Sequence, residues 1–178
     1  MKLIKTNFDH LIIIKHELFN DERGTFKEIF KKDELEIILG YKIDFCQENS
    51  VISSKNVLRG LHFQKKPFAQ SKLISISIGE IFDVAVDLRK NSKTYGQYFS
   101  KVLSAEKNES IFIPAGFAHG YLTLSNNAII NYKVDNYYNK NMECGIAFDD
   151  EHLNIDWGLN INKMVISEKD KKQKKFRW

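Results

Sequence analysis

Two short stretches hold residues suited to moving protons: Arg59-Gly60-Leu61-His62-Phe63-Gln64 and Pro114-Ala115-Gly116-Phe117-Ala118-His119-Gly120. An imidazole exchanges protons near neutral pH. The glycines beside it lack a Cβ, so a ligand or a neighbouring backbone can come close. Two such sites in a chain with five histidines point to a proton-transfer pocket. Strand alternation adds a lysine and a phenol. In residues 71–78, Lys72 shares a face with Ile74, Ile76 and Ile78. In residues 128–134, Tyr132 shares a face with Ala128, Ile130 and Val134. If those apolar faces line the interior, both polar groups point inward, and an inward lysine implies a polar cavity. Each also has an ordinary reading: a core tyrosine with its hydroxyl bonded, and a lysine at a strand start whose amine reaches water. Alternation puts His62 with Leu58 and Gly60, and Arg59 on the other face. A twist or bulge is needed to bring both to one ligand.

Short strands must position these groups. Residues 11–18, 43–53, 71–78, 80–88, 97–103, 110–113, 120–124 and 128–134 read as strands, with 71–78 and 80–88 flanking Gly79 the clearest pair. Ser92, Asn126-Asn127 and residues 139–141 supply turn chemistry. Residues 31–39 have helical spacing at Leu35, Ile38 and Leu39, with Gly40 as a stop. Many short strands and few helices predict an all-β fold, a jelly-roll barrel with a few short peripheral helices.

The 178 residues read as one domain, 1–178, long enough to bury about 70% of the unfolded surface. A hydrophobic content of 43% and an aromatic content of 12% exclude a disordered chain. The net charge of +4 sits largely in a short basic C-terminal tail from about residue 171, which reads as a solvated end. Basic residues do not spread along a face with aromatics between them, so no nucleic-acid partner is expected. The positive balance suits an anionic small molecule. Cys46 and Cys144 have no metal or redox spacing and read as reduced packing residues. The longest early apolar run, Leu11 to Ile14, is too short for a leader or a membrane span, so a cytoplasmic protein is expected.

Pro114-x-Gly116-x-x-His119 resembles the second motif of the cupin superfamily, whose barrel is a jelly roll. A metal-binding cupin carries His-x-His in its first motif. Here that stretch reads His62-Phe63-Gln64, and no glutamate follows within several residues, so no metal and no cofactor are expected. A longer series is more specific: Asp21-Glu22-Arg23-Gly24, Gln47-Glu48-Asn49-Ser50, residues 56–64, Gln70-Ser71-Lys72-Leu73, residues 83–89, residues 113–120, Tyr132-Lys133 and Ser167-Glu168-Lys169-Asp170, in this order. Together they resemble the dTDP-4-dehydrorhamnose 3,5-epimerase family over nearly the whole chain.

That resemblance implies a cofactor-independent epimerase inverting C3 and C5 of a nucleotide-linked 4-keto-6-deoxy sugar. Protons next to a ketone are acidic because the carbanion delocalises into an enolate. A protein must remove the proton on one face, stabilise the oxygen and return a proton on the other. By resemblance His62 is the base and Asp170 its partner, Lys72 stabilises the enolate oxygen and Tyr132 is the acid. Arg59 is expected at the diphosphate and His119 at the sugar or phosphate, with Gln47 and Asn49 lining the same mouth. Arg23, Phe26 and Glu28 are expected to reach the nucleotide from the partner subunit of a homodimer, and Tyr138 to stack on the base. Lys93, Asn131, Phe148 and Gly158 depart from the family's usual pattern, and strand parity turns Asn131 away from Tyr132. Close variants invert one centre only, or take a GDP-linked 4-keto hexose or heptose. A metal-dependent oxygenase is disfavoured by Gln64. A non-catalytic sugar-nucleotide binder is disfavoured by the intact set of His62, Asp170, Lys72 and Tyr132.

Overall fold

The computed structural model describes residues 1–176, so Arg177 of the basic tail lies outside them. Fourteen strands are described: β1 (Lys2–Lys5), β2 (Ile12–Lys15), β3 (Phe19–Asp21), β4 (Gly24–Phe26), β5 (Gln47–Ser54), β6 (Val57–Gln64), β7 (Lys72–Ile78), β8 (Glu80–Asp87), β9 (Tyr98–Ser104), β10 (Glu109–Ile113), β11 (Phe117–Thr123), β12 (Asn127–Val134), β13 (Glu143–Gly145) and β14 (Val165–Ile166). Two short helices, α1 (Lys32–Leu39) and α2 (Glu168–Lys171), complete the regular structure with one 3-10 turn. One sheet runs β1-β2-β10-β7-β12-β5, and the other runs β13-β6-β11-β8-β9 with β14 parallel to β6. They face each other as a jelly-roll barrel. β3 and β4 form a separate exposed hairpin.

Alternation sorts each strand between two layers of core. Ile74, Ile76, Ile111, Ile113 and Ile130 of the first sheet meet Ile81, Ala85, Leu103, Phe117 and Tyr121 of the second inside the barrel. Val84, Val86, Ala118 and Leu122 point the other way, under a cover of Phe148, Leu153 and Trp157. On the first sheet's outer face α1 lays Leu35 and Leu39 over Ile12, Ile14, Leu73 and Phe112. An i, i+4 pair on one helix face is what that seat requires. Gly40 ends the helix at φ +75°, its N–H bonded to the Glu36 carbonyl.

The strand forecasts hold for the sheet centres and shift at the edges. Residues 11–18 contain β2 and then break before β3, and residues 43–53 pair only from Gln47 onward. β6 was not among the segments read as strands, although strand alternation was applied to its residues 58–62; Gly60 and Arg59 interrupt its apolar pattern. Cys46 is exposed, so it is not a packing residue; both cysteines are free thiols. The basic tail is not a loose end. Lys174 bridges to Ile146, Lys175 Nζ reaches the Asp149 carbonyl at 2.6 Å, and the Phe176 amide donates to Asp150 Oδ2 at 2.6 Å. Phe176 packs against the outer core, which a purely charged run would not predict. Among the described residues no helix is long and apolar enough to cross a membrane.

Candidate active site

β6 and β11 carry the two histidines as direct cross-strand partners. Between that pair and the next, Tyr121 with Arg59, β6 holds one more residue than β11. This bulge sits at Gly60, whose φ of +135° is open to glycine and strained for other residues. A Cβ there would stand 2.5 Å from the Gly120 Cα, so the two glycines let the strands touch. The extra residue resets the alternation. Leu58 and Leu61 turn outward, while Arg59 and His62 both turn into one cavity.

The cavity holds about 530 Å³ between the two sheets. His62, His119 and Arg59 stand on one wall, and Lys72 and Tyr132 on the other. A smaller space of about 270 Å³ shares His62, Lys72 and Tyr132 and adds Gln47, Asn49, Tyr138 and Glu143. Register explains the second wall. Tyr132 pairs with Asn49 and Ile74, and Val134 with Gln47 and Lys72, so alternation brings these side chains inward together. Asn131 faces the other side, its Nδ2 donating to Ser77 Oγ at 2.6 Å.

His62 Nε2 lies 2.6 Å from Asp170 Oδ1, and Asp170 is buried. The second Asp170 oxygen accepts the Gly60 amide at 3.3 Å, and Ser167 caps α2 by accepting the Asp170 amide. Burial raises the Asp170 carboxyl, but the His62 hydrogen bond and charge outweigh it and hold the group below the usual carboxylate range. With Nε2–H given to Asp170, Nδ1 is the ring nitrogen left as an acceptor. His119 repeats the arrangement: its Nε2 lies 2.7 Å from Oδ2 of buried Asp83. Asp83 Oδ1 is buried without a partner. Burial pushes the Lys72 amine down to about 8, against the pull of Asp83 and Glu143. Burial likewise raises the Tyr132 phenol, which therefore keeps its proton at neutral pH. Neither Lys72 nor Tyr132 hydrogen bonds through its side chain to another described residue. Arg59 Nε donates to Ser53 Oγ at 3.1 Å, and Ser53 meets the Tyr121 hydroxyl at 3.1 Å.

Nine of the twelve candidate residues thus stand at these two spaces: His62, Asp170, Lys72, Tyr132, Arg59, His119, Gln47, Asn49 and Tyr138. Arg23, Phe26 and Glu28 do not. Arg23 pairs with Asp21, Phe26 stacks near Phe19 in the exposed hairpin, and Glu28 pairs with Lys31. Asp83, Glu143 and Lys169 were missed as site residues. A lone acid in the apolar run Ile81-Phe82-Asp83-Val84 was the available signal, since a buried carboxylate needs a reason. Glu143 accepts from Lys169 and from the Tyr138 hydroxyl. Among the described residues no group of three or more His, Cys, Asp and Glu is placed to hold a metal ion.

Chemically the arrangement offers a proton acceptor on one wall, a proton donor on the other, and an amine and a guanidinium for negative charge. The family profile described as dTDP-4-dehydrorhamnose 3,5-epimerase matches residues 5–177. The chain is 44% identical to the dTDP-4-dehydrorhamnose 3,5-epimerase of Escherichia coli over 172 residues, covering 97% of this chain and 92% of that one. Among solved structures, the dTDP-4-dehydrorhamnose 3,5-epimerase of Elizabethkingia anophelis superposes with a TM-score of 0.95 at 45% identity, covering 99% of this chain and 96% of that one. A Legionella pneumophila 3,5-epimerase in complex with dTDP-4-keto-L-rhamnose superposes with a TM-score of 0.92 at 42% identity, covering 98% and 92%.

Proposed function

Because the chain belongs to the dTDP-4-dehydrorhamnose 3,5-epimerase family, and is a carbohydrate epimerase of nucleotide-linked 4-keto sugars in deoxysugar biosynthesis, we propose that it inverts both C3 and C5 of a dTDP-linked 4-keto-6-deoxyhexose, with His62 and Tyr132 as its base and acid. The observation that carries the assignment is the His62–Asp170 pair at 2.6 Å on one wall, with Tyr132 on the opposing sheet. Inversion needs groups on both faces of the sugar ring, and two sheets supply two faces.

In the proposed cycle His62 Nδ1 takes the proton from the carbon next to the ketone. The C–H electron pair moves into the C4 carbonyl and forms an enolate. Asp170 holds the imidazole and stabilises the imidazolium that results. The Lys72 ammonium donates to the enolate oxygen, a type of contact worth roughly 3 kcal/mol when preorganised. Tyr132 gives its proton to the carbon from the opposite face, the resulting tyrosinate is reprotonated from solvent, and the His62 imidazolium releases its proton to solvent. The second centre follows by the same steps. Arg59 takes the diphosphate, which suits its planar fork, and Tyr138 the base. The site for the nucleotide sugar is completed by Arg23, Phe26 and Glu28 from a second copy of the chain. Their placement outside this chain's own cavity supports that reading.

Proton NMR of a 4-keto-6-deoxyhexose nucleotide in D₂O, with dTDP and GDP carriers in parallel, tests it. Deuterium at C3 and C5 of the dTDP sugar is the expected result. Deuterium at one carbon would make the protein a single-centre epimerase. A preference for GDP would overturn the carrier.

A further inference from the structure

Three glutamine side chains from three separate segments converge on one loop. Residues 136–139 follow β12 and carry Tyr138. Gln70 Nε2 donates to the Asn136 carbonyl at 2.7 Å. Gln64 Nε2 donates to the Phe68 carbonyl at 2.9 Å and reaches the Tyr137 carbonyl at 3.4 Å. The Tyr138 amide donates to Gln47 Oε1 at 3.1 Å, and the Asn139 amide donates to Gln64 Oε1 at 2.6 Å. Four consecutive residues therefore each have their backbone met by a glutamine. The loop needs a donor for two carbonyls and an acceptor for two amides. A primary amide offers both, whereas a carboxylate only accepts. Gln64 is buried, so these bonds take the place of water. In the conformation so held, the Tyr138 hydroxyl meets Glu143 Oε2 at 2.9 Å at the smaller space, and Glu143 also takes Lys169, the neighbour of Asp170 in α2.

We propose that Gln64 and Gln70, which themselves border the smaller space, are positioning residues that fix the backbone of residues 136–139, set the pose of Tyr138 and thereby set nucleotide affinity. The proposal rests on the reading of Tyr138 as a nucleotide contact. It differs from a merely structural role in one respect: the glutamines act through Tyr138, so their effect vanishes when that ring is gone.

The test is a double-mutant cycle read by calorimetric titration with dTDP, using Gln64→Leu, Tyr138→Ala and the double variant. Gln64→Leu is expected to weaken dTDP binding about tenfold, the scale of one net hydrogen bond. In the Tyr138→Ala background the same change is expected to cost less than about twofold. The kcat at saturating sugar nucleotide stays within about twofold while KM rises. Gln70→Leu gives the same pattern and serves as the second variant if Gln64→Leu does not fold. An equal loss in both backgrounds, or unchanged binding with Gln64→Leu while Tyr138→Ala binds weakly, overturns the glutamine proposal alone. Unchanged binding with Tyr138→Ala overturns the nucleotide reading of Tyr138 and this proposal with it.

Discussion

His62 bonds Asp170 through Nε2, which leaves Nδ1 as the free acceptor of the ring. His62→Ala should abolish deuterium wash-in at both sugar carbons while circular dichroism and Tm stay near the parent's. Exchange at the parent rate would remove His62 from the mechanism. Lys72 makes a prediction of opposite signs for activity and stability. Its amine is drawn from 10.5 down to about 8 by burial, so the charged donor is lost as pH rises through about 8. kcat/KM should therefore fall above that pH. The unfolded chain binds the Lys72 proton more tightly between about 8 and 10.5, so stability gained from deprotonation grows across that window. At pH 7 the amine is charged in both states and its burial is at full cost. Lys72→Met should then raise the Tm at pH 7 by roughly 2–4 °C, about 1 kcal/mol, and lose activity; the Tm gain should shrink toward pH 10. A lower Tm at pH 7 would count against the buried charge. Alternation made the inward aim of Lys72 and Tyr132 legible before any fold was known. Asp83 was not legible as His119's partner, because the two lie 36 residues apart and only strand pairing brings them together.

β6 shows what alternation cannot see. Counting by two puts Arg59 and His62 on opposite faces, and a single extra residue at Gly60 puts them on one. The sequence called for a twist or bulge to unite them but did not say where, because a bulge has no reliable signature beyond its glycine. The same limit applies to the edges: β3 and β4 pair only with each other, and β14 has two residues. Gly60→Ala should destabilise the protein by about 2 kcal/mol or more, since a Cβ would stand 2.5 Å from the Gly120 Cα at a φ of +135°. Urea melts of the variant measure this. A midpoint unchanged from the parent's would mean the bulge relaxes freely and does not fix the relation of Arg59 to His62.

At the scale of the whole molecule, the hairpin of β3 and β4 leaves Phe19 and Phe26 exposed and Arg23 outside the cavity lining of its own chain. If a second copy receives it, two inactive variants should complement. His62→Ala mixed and refolded with an Arg23→Ala, Glu28→Ala double variant should recover roughly a quarter of parent activity, because half of the dimers are mixed and each mixed dimer has one intact site. No recovery would mean the hairpin serves its own chain or none. The placement of His62 and Tyr132 on different sheets has a further consequence. Facing sheets stand about 10 Å apart, a distance fixed by the side chains wedged between them. Ile74, Ile130 and Tyr121 belong to that wedge and also border the cavity. The core is thus a spacer gauge for the reaction: trimming it changes how far the ring must tilt between losing a proton and regaining one. Loose packing would then show first as labelled but uninverted sugar, well before it showed as unfolding.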